Sequence, residues 1–348
     1  MAYKYKHFIP QNIAPNEAKR IGVYDADGKR VCSVSLGGLT PPAKEKIYSF
    51  GLVSDVHIHS NPYVTWQPVP KFDKALTVFE SYGCSFCVAC GDLTNTGFYL
   101  RTDESVSGTE YLDEAQFAKY KEICEKHSIP VYELMGNHES YYGMPITGNL
   151  TLMKAYTGND TLSYTVAQGN DLFILIGQPR DTTVMGDEDF QWLSETLEAN
   201  KDRRCFVFVH SHIDDNVEGG VEDSGNPVFA RENSIFGYWG AAKTASFINL
   251  MRQYPKTILF HGHTHIMFEA QRFDKQANYS DENGFRSVHI PSSGSPREVV
   301  SSDGTWVGRD AESQGYIVDV YDDCVVLNGI DLINNKFVPL GVMRIYAS

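Results

Sequence analysis

The sequence has no apolar stretch that approaches the roughly 20 residues needed to cross a bilayer. Its start, Met1-Ala-Tyr-Lys-Tyr-Lys-His7, carries charge but is followed by no apolar region, so it lacks the pattern of a secretory leader. Cysteine is scarce, with seven in 348 residues, an odd number, and most lie in strand-like runs. These absences predict a reducing, cytoplasmic compartment and no membrane partner.

Basic residues are also few relative to acidic ones. Lysine and arginine number 30 against 44 acidic residues, which gives a formal net charge of −14. Because long nucleic acids are held by an excess of cationic side chains, this balance argues against such a partner. Bound divalent cations would offset part of the negative charge locally, so small anionic substrates remain possible. The oligomeric state does not follow from the composition.

The chain does have enough hydrophobic residues, 42% of the total, for a sizeable core. Strands at 21–24 and 30–36 flank Asp25-Ala-Asp-Gly28, which is a strong hairpin turn, and Thr40-Pro-Pro follows as a linker. We therefore expect a small β extension over residues 1–45, with a main domain over residues 46–348.

Strands and helices alternate from Ser49 onward, whereas the chain after His265 is almost all β. Helices are predicted over 71–82, 114–127, 187–197 and 241–254, and late strands over 266–273, 286–290, 316–321, 324–327 and 337–346. This order predicts an α/β fold in which two sheets pack together with helices outside.

Five short polar clusters each follow an apolar run that predicts a buried strand. The clusters are Asp55-Val-His57, Gly91-Asp92, Gly136-Asn137-His138-Glu139, His210 and Gly262-His263-Thr264-His265. Loops at the carboxyl ends of strands in an α/β sheet converge on one crevice. Two aspartates, an asparagine and five histidines would then meet in one place, which fits two metal ions that share a carboxylate.

The spacing within the clusters indicates how the ligands divide. Asp55 and His57 lie two residues apart, as do His263 and His265, so each pair can grip a cation from one face of the chain. A bridging carboxylate must come from another strand, and Asp92 is the candidate. Mixed oxygen and nitrogen ligands favour Mn, Fe, Zn or Co over Ca or Mg.

Two metal ions close together can hold a hydroxide between them as a nucleophile and clamp a phosphoryl group for in-line attack. The leaving alkoxide then needs a proton, and His138, beside Asn137, is the candidate general acid. The sequence therefore predicts a dinuclear metal hydrolase.

In this order the motifs D-x-H, G-D, G-N-H-E, H and G-H-x-H resemble those of the calcineurin-like metallophosphoesterase superfamily, over roughly residues 49–270. The resemblance implies a four-layer α/β/β/α sandwich and assigns His138 as the acid. It also implies one metal ion at Asp55, His57, Asp92 and His265, and another at Asp92, Asn137, His210 and His263.

One motif departs from the phosphoprotein phosphatases of that superfamily, in which it resembles G-D-x-V-D-R-G. Here it reads Gly91-Asp-Leu-Thr-Asn-Thr-Gly97, so Asn95 replaces an aspartate and Thr96 replaces an arginine. The sequence is more similar to the phosphodiesterase branch. His212 stands where a proline is common in that branch, and a contact to substrate and a packing role are both open for it.

Two further residues have open roles. Glu139 either orients a ligand or begins a turn. Arg231, with the aromatic stretch Phe236–Trp239, either forms a wall that holds a small phosphate ester or packs against the next helix. The segments 98–112, 140–165, 213–240 and 274–312 are expected to be the loops that decide the substrate.

The leading hypothesis is a hydrolase of small or nucleotide-like phosphodiesters. The alternatives are a phosphomonoesterase, such as a nucleotidase, at the same site and a non-catalytic binding module. The last is disfavoured because no expected ligand is missing.

Overall fold

The computed structural model describes residues 20–24, 30–35, 44–59, 65–95, 112–139, 146–179, 185–212, 240–268, 279–280, 284–299 and 306–346. In the amino-terminal segment, strands β1 (Arg20–Tyr24) and β2 (Arg30–Ser35) pair antiparallel. The strand pairing of the predicted hairpin is thus present, while its turn, Asp25–Gly28, lies outside the described residues. The domain boundary near residue 45 stays a prediction.

The first large sheet has six strands in the order β16-β15-β14-β3-β4-β5. These strands are β3 (Tyr48–Val53), β4 (Cys87–Cys90), β5 (Val131–Leu134), β14 (Gln314–Val320), β15 (Cys324–Asp331) and β16 (Lys336–Tyr346). The first three run parallel, and the strands from the end of the chain add to them antiparallel. The β-rich tail therefore completes a sheet that begins near residue 48.

The second large sheet has the order β10-β11-β9-β8-β7-β6. Its strands are β6 (Ser163–Gln168), β7 (Asp171–Ile176), β8 (Cys205–Val209), β9 (Thr257–His261), β10 (Tyr279–Ser280) and β11 (Arg286–His289). Strands β7, β8, β9 and β11 run parallel. A small separate pair is formed by β12 (Arg297–Val299) and β13 (Trp306–Gly308).

Helices cover the outer faces of both sheets. The described residues contain α1 (Pro68–Ser81), α2 (Leu112–Glu125), α3 (Ile146–Thr157), α4 (Asp187–Ala199) and α5 (Gly240–Met251). One apolar cluster lies between the two sheets, a second under α1 and α2, and a third under α4 and α5. This layering confirms the expected four-layer sandwich with two mixed sheets.

Each residue in a strand points opposite to its neighbours, and this alternation distributes the cysteines between the layers. Cys87 packs in the cluster under α1, whereas Cys90 packs between the sheets. Both are free and fully buried, as is expected of thiols that act as small apolar groups.

Two of the expected loop segments contain regular structure. The segment 140–165 includes α3, and 274–312 includes β10 to β13. Strand β7 is not predicted from the sequence although its five residues Leu172–Ile176 are apolar and buried. The predicted strand at 266–273 is wrong at its start, because Ile266 makes only an isolated bridge with Arg297, and residues 269–273 lie outside the described part.

Within the described residues, every helix is too short or too polar to cross a membrane.

Strand β3 and helix α1 approach closely at a glycine. A Cβ atom at Gly51 would lie 2.4 Å from the ring of Phe79, which is itself fully buried. We expect Gly51→Ala to destabilise the fold by about 1–3 kcal/mol, because a packed aromatic ring must move. The measurement is the midpoint of guanidinium unfolding.

The matched control is Gly308→Ala, where the new Cβ would lie 3.5 Å from Asp310 Oδ1, an ordinary contact. It should leave the midpoint nearly unchanged. Equal midpoints for both variants would contradict the close-packing explanation.

Candidate metal centre

The chemistry-bearing residues lie just beyond the carboxyl ends of five parallel strands. Asp55 and His57 follow β3, Asp92 follows β4, Asn137 to Glu139 follow β5, His210 follows β8, and His263 and His265 follow β9. The first three strands belong to one sheet and the last two to the other. The cluster therefore spans the top of the sandwich, where the two sheets meet.

Two groups of side chains offer ligand atoms that lie within 4.8 Å of one another. One group is Asp55, His57, Asp92 and His265, and the other is Asp92, His210 and His263. Asp92 belongs to both. The structure thus gathers six of the seven residues expected to bind metal into two overlapping groups, and Asn137 lies fully buried at the end of β5.

The distances between ligand atoms match those around a bound cation. The Nε2 atoms of His57 and His265 are 3.0 Å apart, and His265 Nε2 is 3.2 Å from Asp55 Oδ1. His210 Nε2 is 3.1 Å from Asp92 Oδ2. Ligands bound at about 2.1 Å and at right angles are separated by about 3 Å, so the atoms stand where neighbouring ligands of one ion would stand.

Two oxygens at the centre of the cluster need cationic partners. Asp55 Oδ1 and Asp92 Oδ2 are buried, and no donor among the described residues makes an aligned hydrogen bond with either. Imidazole nitrogens approach them to 3.1–3.2 Å, but without that alignment. Buried carboxylate oxygens of this kind are satisfied by metal ions, so the residues present fit divalent cations.

The backbone is strained at the same residues. Positive φ angles occur at Asp55 (52°), His57 (53°), Asp92 (50°), His263 (73°) and His265 (62°). Only two other non-glycine residues in the described part have a positive φ. Each such conformation costs about 1 kcal/mol or more. It persists only where contacts with the surrounding structure hold the backbone in place, which is common at functional sites.

Close approach at Gly136 allows the cluster to form. A Cβ atom there would lie 2.2 Å from Asp92 Oδ1. The backbone N–H of His138 donates to that same oxygen at 2.9 Å. One oxygen of Asp92 is therefore held by the loop after β5, which leaves Oδ2 directed into the cluster.

The charges of the cluster shift several pKa values strongly. Burial would raise the pKa of Asp55, but His265, His210 and His57 hold it well below its usual range. Asp92 behaves in the same way, with His210 and His138 lowering its pKa. Burial would lower the pKa of His210, yet the two aspartates raise it to about 10. Both carboxylates are therefore ionised at neutral pH.

Two other imidazoles of the cluster, those of His57 and His263, stay neutral. Burial and the neighbouring imidazoles of His138 and His265 lower the pKa of His57 well below its usual value. Burial and His210 lower that of His263 to about 3. Neutral imidazoles are the form that binds metal ions.

Backbone carbonyls fix the orientation of two histidines. His210 Nδ1 donates to the carbonyl of Cys90 at 2.8 Å, and His265 Nδ1 donates to that of Ser295 at 2.7 Å. Each bond directs Nε2 of the same ring into the cluster. This pattern is typical of metal-binding histidines.

Glu139 is fully buried and ties two loops of the site together. Its carboxylate accepts the backbone N–H groups of Asp92 (3.1 Å), Thr94 (2.8 Å) and Gly136 (2.6 Å). Burial and the nearby Asp92 nevertheless raise its pKa to about 8. Of the two roles left open by the sequence, these contacts favour orientation of a ligand loop.

His138 lies at the mouth of the cluster. Its side chain is 20% exposed, against 2% for His57 and 0% for His210, and its Nε2 is 3.8 Å from Asp92 Oδ2. Burial lowers its pKa, while Asp92 and the backbone carbonyl of Asn95 act in the opposite direction. Asn95 itself is buried, and its backbone N–H donates to Gln116 Oε1 at 2.8 Å.

The remaining candidates, and His59 two residues after His57, join neither ligand group or lie outside the described residues. His212 is buried, and its ring lies parallel to that of His263 with centroids 5.9 Å apart, so both of its roles stay predictions. His59 packs edge-on against Trp66 and joins neither ligand group. Arg231 and the stretch 236–239 lie outside the described residues.

A serine-rich segment, Ser292-Ser-Gly-Ser295, braces the site and was not expected from the sequence. Ser292 Oγ donates to the carbonyl of Asp55 at 2.9 Å, and the N–H of Gly294 donates to the same carbonyl at 3.0 Å. The carbonyl of Ser295 receives His265 Nδ1. One short segment therefore supports ligands that come from β3 and from β9.

Lys71 of α1 holds this segment in place through a hydrogen bond. Its ammonium is buried and donates to the carbonyl of Gly294 at 2.7 Å. Burial lowers its pKa to about 8, with Asp310 and Glu312 opposing that effect. The helix layer is thus linked to the metal cluster through one side chain.

A family model described as calcineurin-like phosphoesterase matches residues 48–267. Among solved structures, a dimetal phosphatase from Danio rerio is similar with a TM-score of 0.58 and 14% identity, covering 87% of this chain and 100% of that chain. A purple acid phosphatase from yellow lupin (Lupinus luteus) seeds also has a TM-score of 0.58 and 14% identity, covering 94% of this chain and 59% of that chain. No curated protein sequence matches significantly. The two structural likenesses show the fold alone.

The hydrogen bond from Lys71 to Gly294 should contribute to metal affinity, because it supports the segment that orients the ligands. We expect Lys71→Met to keep the fold but to weaken metal binding by about tenfold, since loss of an outer support of metal ligands has effects of this order. The apparent affinity is measured by titrating Mn²⁺ or Zn²⁺ into chelator-treated protein. Lys74→Met, at an exposed position of the same helix, is the matched control. Unchanged affinity in a folded Lys71→Met protein would show that the segment holds its position without the lysine.

Proposed function

Because the chain belongs to the calcineurin-like phosphoesterase family, a group of metal-dependent enzymes, we propose that it hydrolyses small or nucleotide-like phosphodiesters at a site for two metal ions. The observation that carries the proposal is the shared carboxylate of Asp92, which lies in both groups of candidate ligands. The substrate class rests on the charges around that site.

The proposed ligand sets divide between the two halves of the cluster. Asp55, His57 and His265 would hold one ion, His210, His263 and Asn137 the other, and Asp92 would bridge them. Bound Mn, Fe or Zn would neutralise the phosphoryl oxygens and supply an activated water. The chain's own contribution is to keep both aspartates ionised and the imidazoles oriented before any ion arrives.

His138 is the proposed proton donor. Its side chain is more exposed than those of His57 and His210. Its Nε2 lies 3.8 Å from Asp92 Oδ2, and it belongs to neither ligand group, so it borders the site. A proton on this ring can pass to the oxygen of the departing alcohol. The lowered pKa of His138 makes that transfer easier once the ring is protonated.

The charge of the cluster favours diesters over monoesters. Among the described residues, the carboxylates of Asp55 and Asp92 form ion pairs with imidazoles only. A phosphomonoester carries a charge of about −1.5 to −2 at neutral pH, whereas a diester carries a single charge. Carboxylates that pair with imidazoles, and with no lysine or arginine of the described residues, suit the less charged substrate.

A phosphomonoesterase is the second candidate. It is favoured by the two similar solved structures, since one is a dimetal phosphatase and the other a purple acid phosphatase. The same cluster would serve both reactions, so the two candidates differ in the substrate's charge rather than in the ligands.

The proposal is tested by comparing two nitrophenyl esters on metal-loaded protein. We expect kcat/KM to be higher for bis-p-nitrophenyl phosphate than for p-nitrophenyl phosphate, and elemental analysis to find two metal ions per chain. Asp92→Asn should lower both activities by more than about 100-fold and reduce the metal content, because loss of even an outer support costs 10- to 100-fold.

Asp160→Asn, which changes an exposed carboxylate that belongs to neither ligand group, is the control and should behave as wild type. Faster turnover of the monoester would show that the protein is a phosphomonoesterase, the second candidate. Failure of both substrates with two metals bound would favour the non-catalytic binding module.

The role of His138 is tested through the leaving group. We expect His138→Asn to keep metal content and fold but to lose about 10²–10⁴-fold in kcat on alkyl esters, the range of a general acid. The loss should be much smaller on nitrophenyl esters, since nitrophenolate is stable without a proton. An equal loss on both would assign His138 to substrate or metal positioning instead.

A further inference from the structure

A cavity of about 410 Å³ lies between α2, β5 and the end of α3. Its lining includes Tyr120 and Cys124 from α2, Glu133 from β5 and Thr157 from α3. None of the residues around it belongs to the two groups of candidate metal ligands. Its volume lies in the range of sites for small molecules.

Glu133 is an unusual residue for its place in the fold. Its neighbours in β5, Tyr132 and Leu134, pack in the cluster between the two sheets, so Glu133 points to the opposite, helix-covered face. That face is apolar, and Glu133 is only 3% exposed. A carboxylate in such a place is unfavourable unless a cation accompanies it.

No cationic side chain of the described residues accompanies Glu133. One carboxylate oxygen accepts a hydrogen bond from Asn159 Nδ2 at 2.9 Å. The two lysines that line the cavity are directed elsewhere, Lys121 to Glu125 at 3.8 Å and Lys154 to Asp160 at 3.7 Å. Both of those ion pairs lie at the solvent-exposed surface.

Two helices place their carboxyl ends at the cavity. Helix α2 ends at Glu125 and α3 ends at Thr157, and both residues belong to the lining. The carboxyl end of a helix carries a partial negative charge. The helix ends and the buried carboxyl therefore act together to make the cavity attractive to a cation.

The hydroxyl of Tyr120 adds a second acceptor. Tyr120 is 1% exposed, and its hydroxyl makes no aligned hydrogen bond although it lies close enough to Glu133 to influence that carboxyl. Thr157 Oγ1 also lies in the lining, but it already donates to the carbonyl of Met153 at 2.8 Å and accepts the backbone N–H of Asn159 at 3.3 Å. The two carboxylate oxygens of Glu133 and the hydroxyl of Tyr120 are therefore the acceptors that match the three donors of a primary ammonium group.

We propose that this cavity binds a small molecule through its primary ammonium group, with Glu133 as the counter-charge and Tyr120 as an orienting acceptor. The site is independent of the phosphoesterase centre. A bare metal ion is disfavoured because about 410 Å³ is far more space than one ion fills.

Ionisation of Glu133 should govern this binding. Burial raises the pKa of Glu133 to about 8, with Thr157 and Tyr120 opposing the effect. The titratable groups that face it are Tyr120 and Cys124 of α2, Cys87 of β4 and Tyr164 of β6, and burial raises the pKa of each of them above its ordinary value. All four stay neutral below pH 8, so Glu133 alone among them changes charge there.

The sign of the pH dependence follows from this. Below pH 8 the carboxyl is increasingly protonated, and an ammonium ligand must displace that proton. Affinity should fall by about fivefold from pH 8 to pH 7 and by about tenfold for each further unit, and binding at pH 7 should release a proton.

The experiment is isothermal titration of the full-length, metal-loaded protein with ethanolamine at moderate salt. We expect one saturable site, with binding at pH 8 about 50-fold tighter than at pH 6. Ethylene glycol, a neutral compound of similar size, and tetramethylammonium, which has no N–H donor, should each bind at least tenfold more weakly. Glu133→Gln should lower the affinity at pH 8 by at least tenfold.

Glu125→Gln, at the rim of the same cavity, is the matched control and should change the affinity by less than threefold. Unchanged phosphoesterase turnover and metal content report that Glu133→Gln is folded. If that variant does not fold, Tyr120→Phe keeps the ring and should weaken binding several-fold. The proposal is overturned if wild type shows no saturable site at pH 8, if ethylene glycol binds equally well, or if neither variant weakens binding.

Discussion

Two ionised carboxylates buried in one cluster set the main physical constraint on this protein. Asp55 and Asp92 are 0% and 1% exposed, and a buried charge without a partner costs several kcal/mol. Without metal, the His210 imidazole, whose pKa is raised to about 10, supplies a compensating positive charge. A metal ion needs that imidazole neutral, so metal binding must release its proton. The strained backbone at the strand ends persists because it holds these charges in place.

Supports from distant parts of the chain keep the ligands in position. Glu139 binds backbone N–H groups of the loops after β4 and β5. The segment 292–295 donates to the carbonyl of Asp55 after β3 and accepts from the imidazole of His265 after β9, and these two strands belong to different sheets. The two sheets are therefore joined at the site as well as through the core between them. A cluster supported from several elements is pre-organised, and this lowers the reorganisation needed when ions bind.

The sequence predicted the ligand candidates because each is local, a polar residue placed directly after an apolar run. The outer supports left no such pattern. Ser292 and Asp55 are separated by 237 positions, and Lys71 and Gly294 by 223, so only the folded chain brings them together. Helix α3 was missed because it lies in a segment interpreted as a loop. The glutamate within β5 is also unremarkable in sequence, since its burial depends on α2 and α3.

Strand β5 carries residues of both sites, yet their charges couple only weakly. Glu133 precedes Asn137 by four positions, roughly 13 Å along an extended chain. At that separation, with an effective dielectric constant of about 20, two unit charges interact by about 1 kcal/mol. A divalent ion would feel about twice that energy, but with its pKa raised to about 8 Glu133 is mostly protonated at pH 7, so metal affinity there would change by less than about tenfold. A bound ammonium group would cancel most of the effect. Removing the charge of Glu133 therefore leaves the metal centre nearly unaffected, because that centre depends on contacts of about 3 Å between its own ligands.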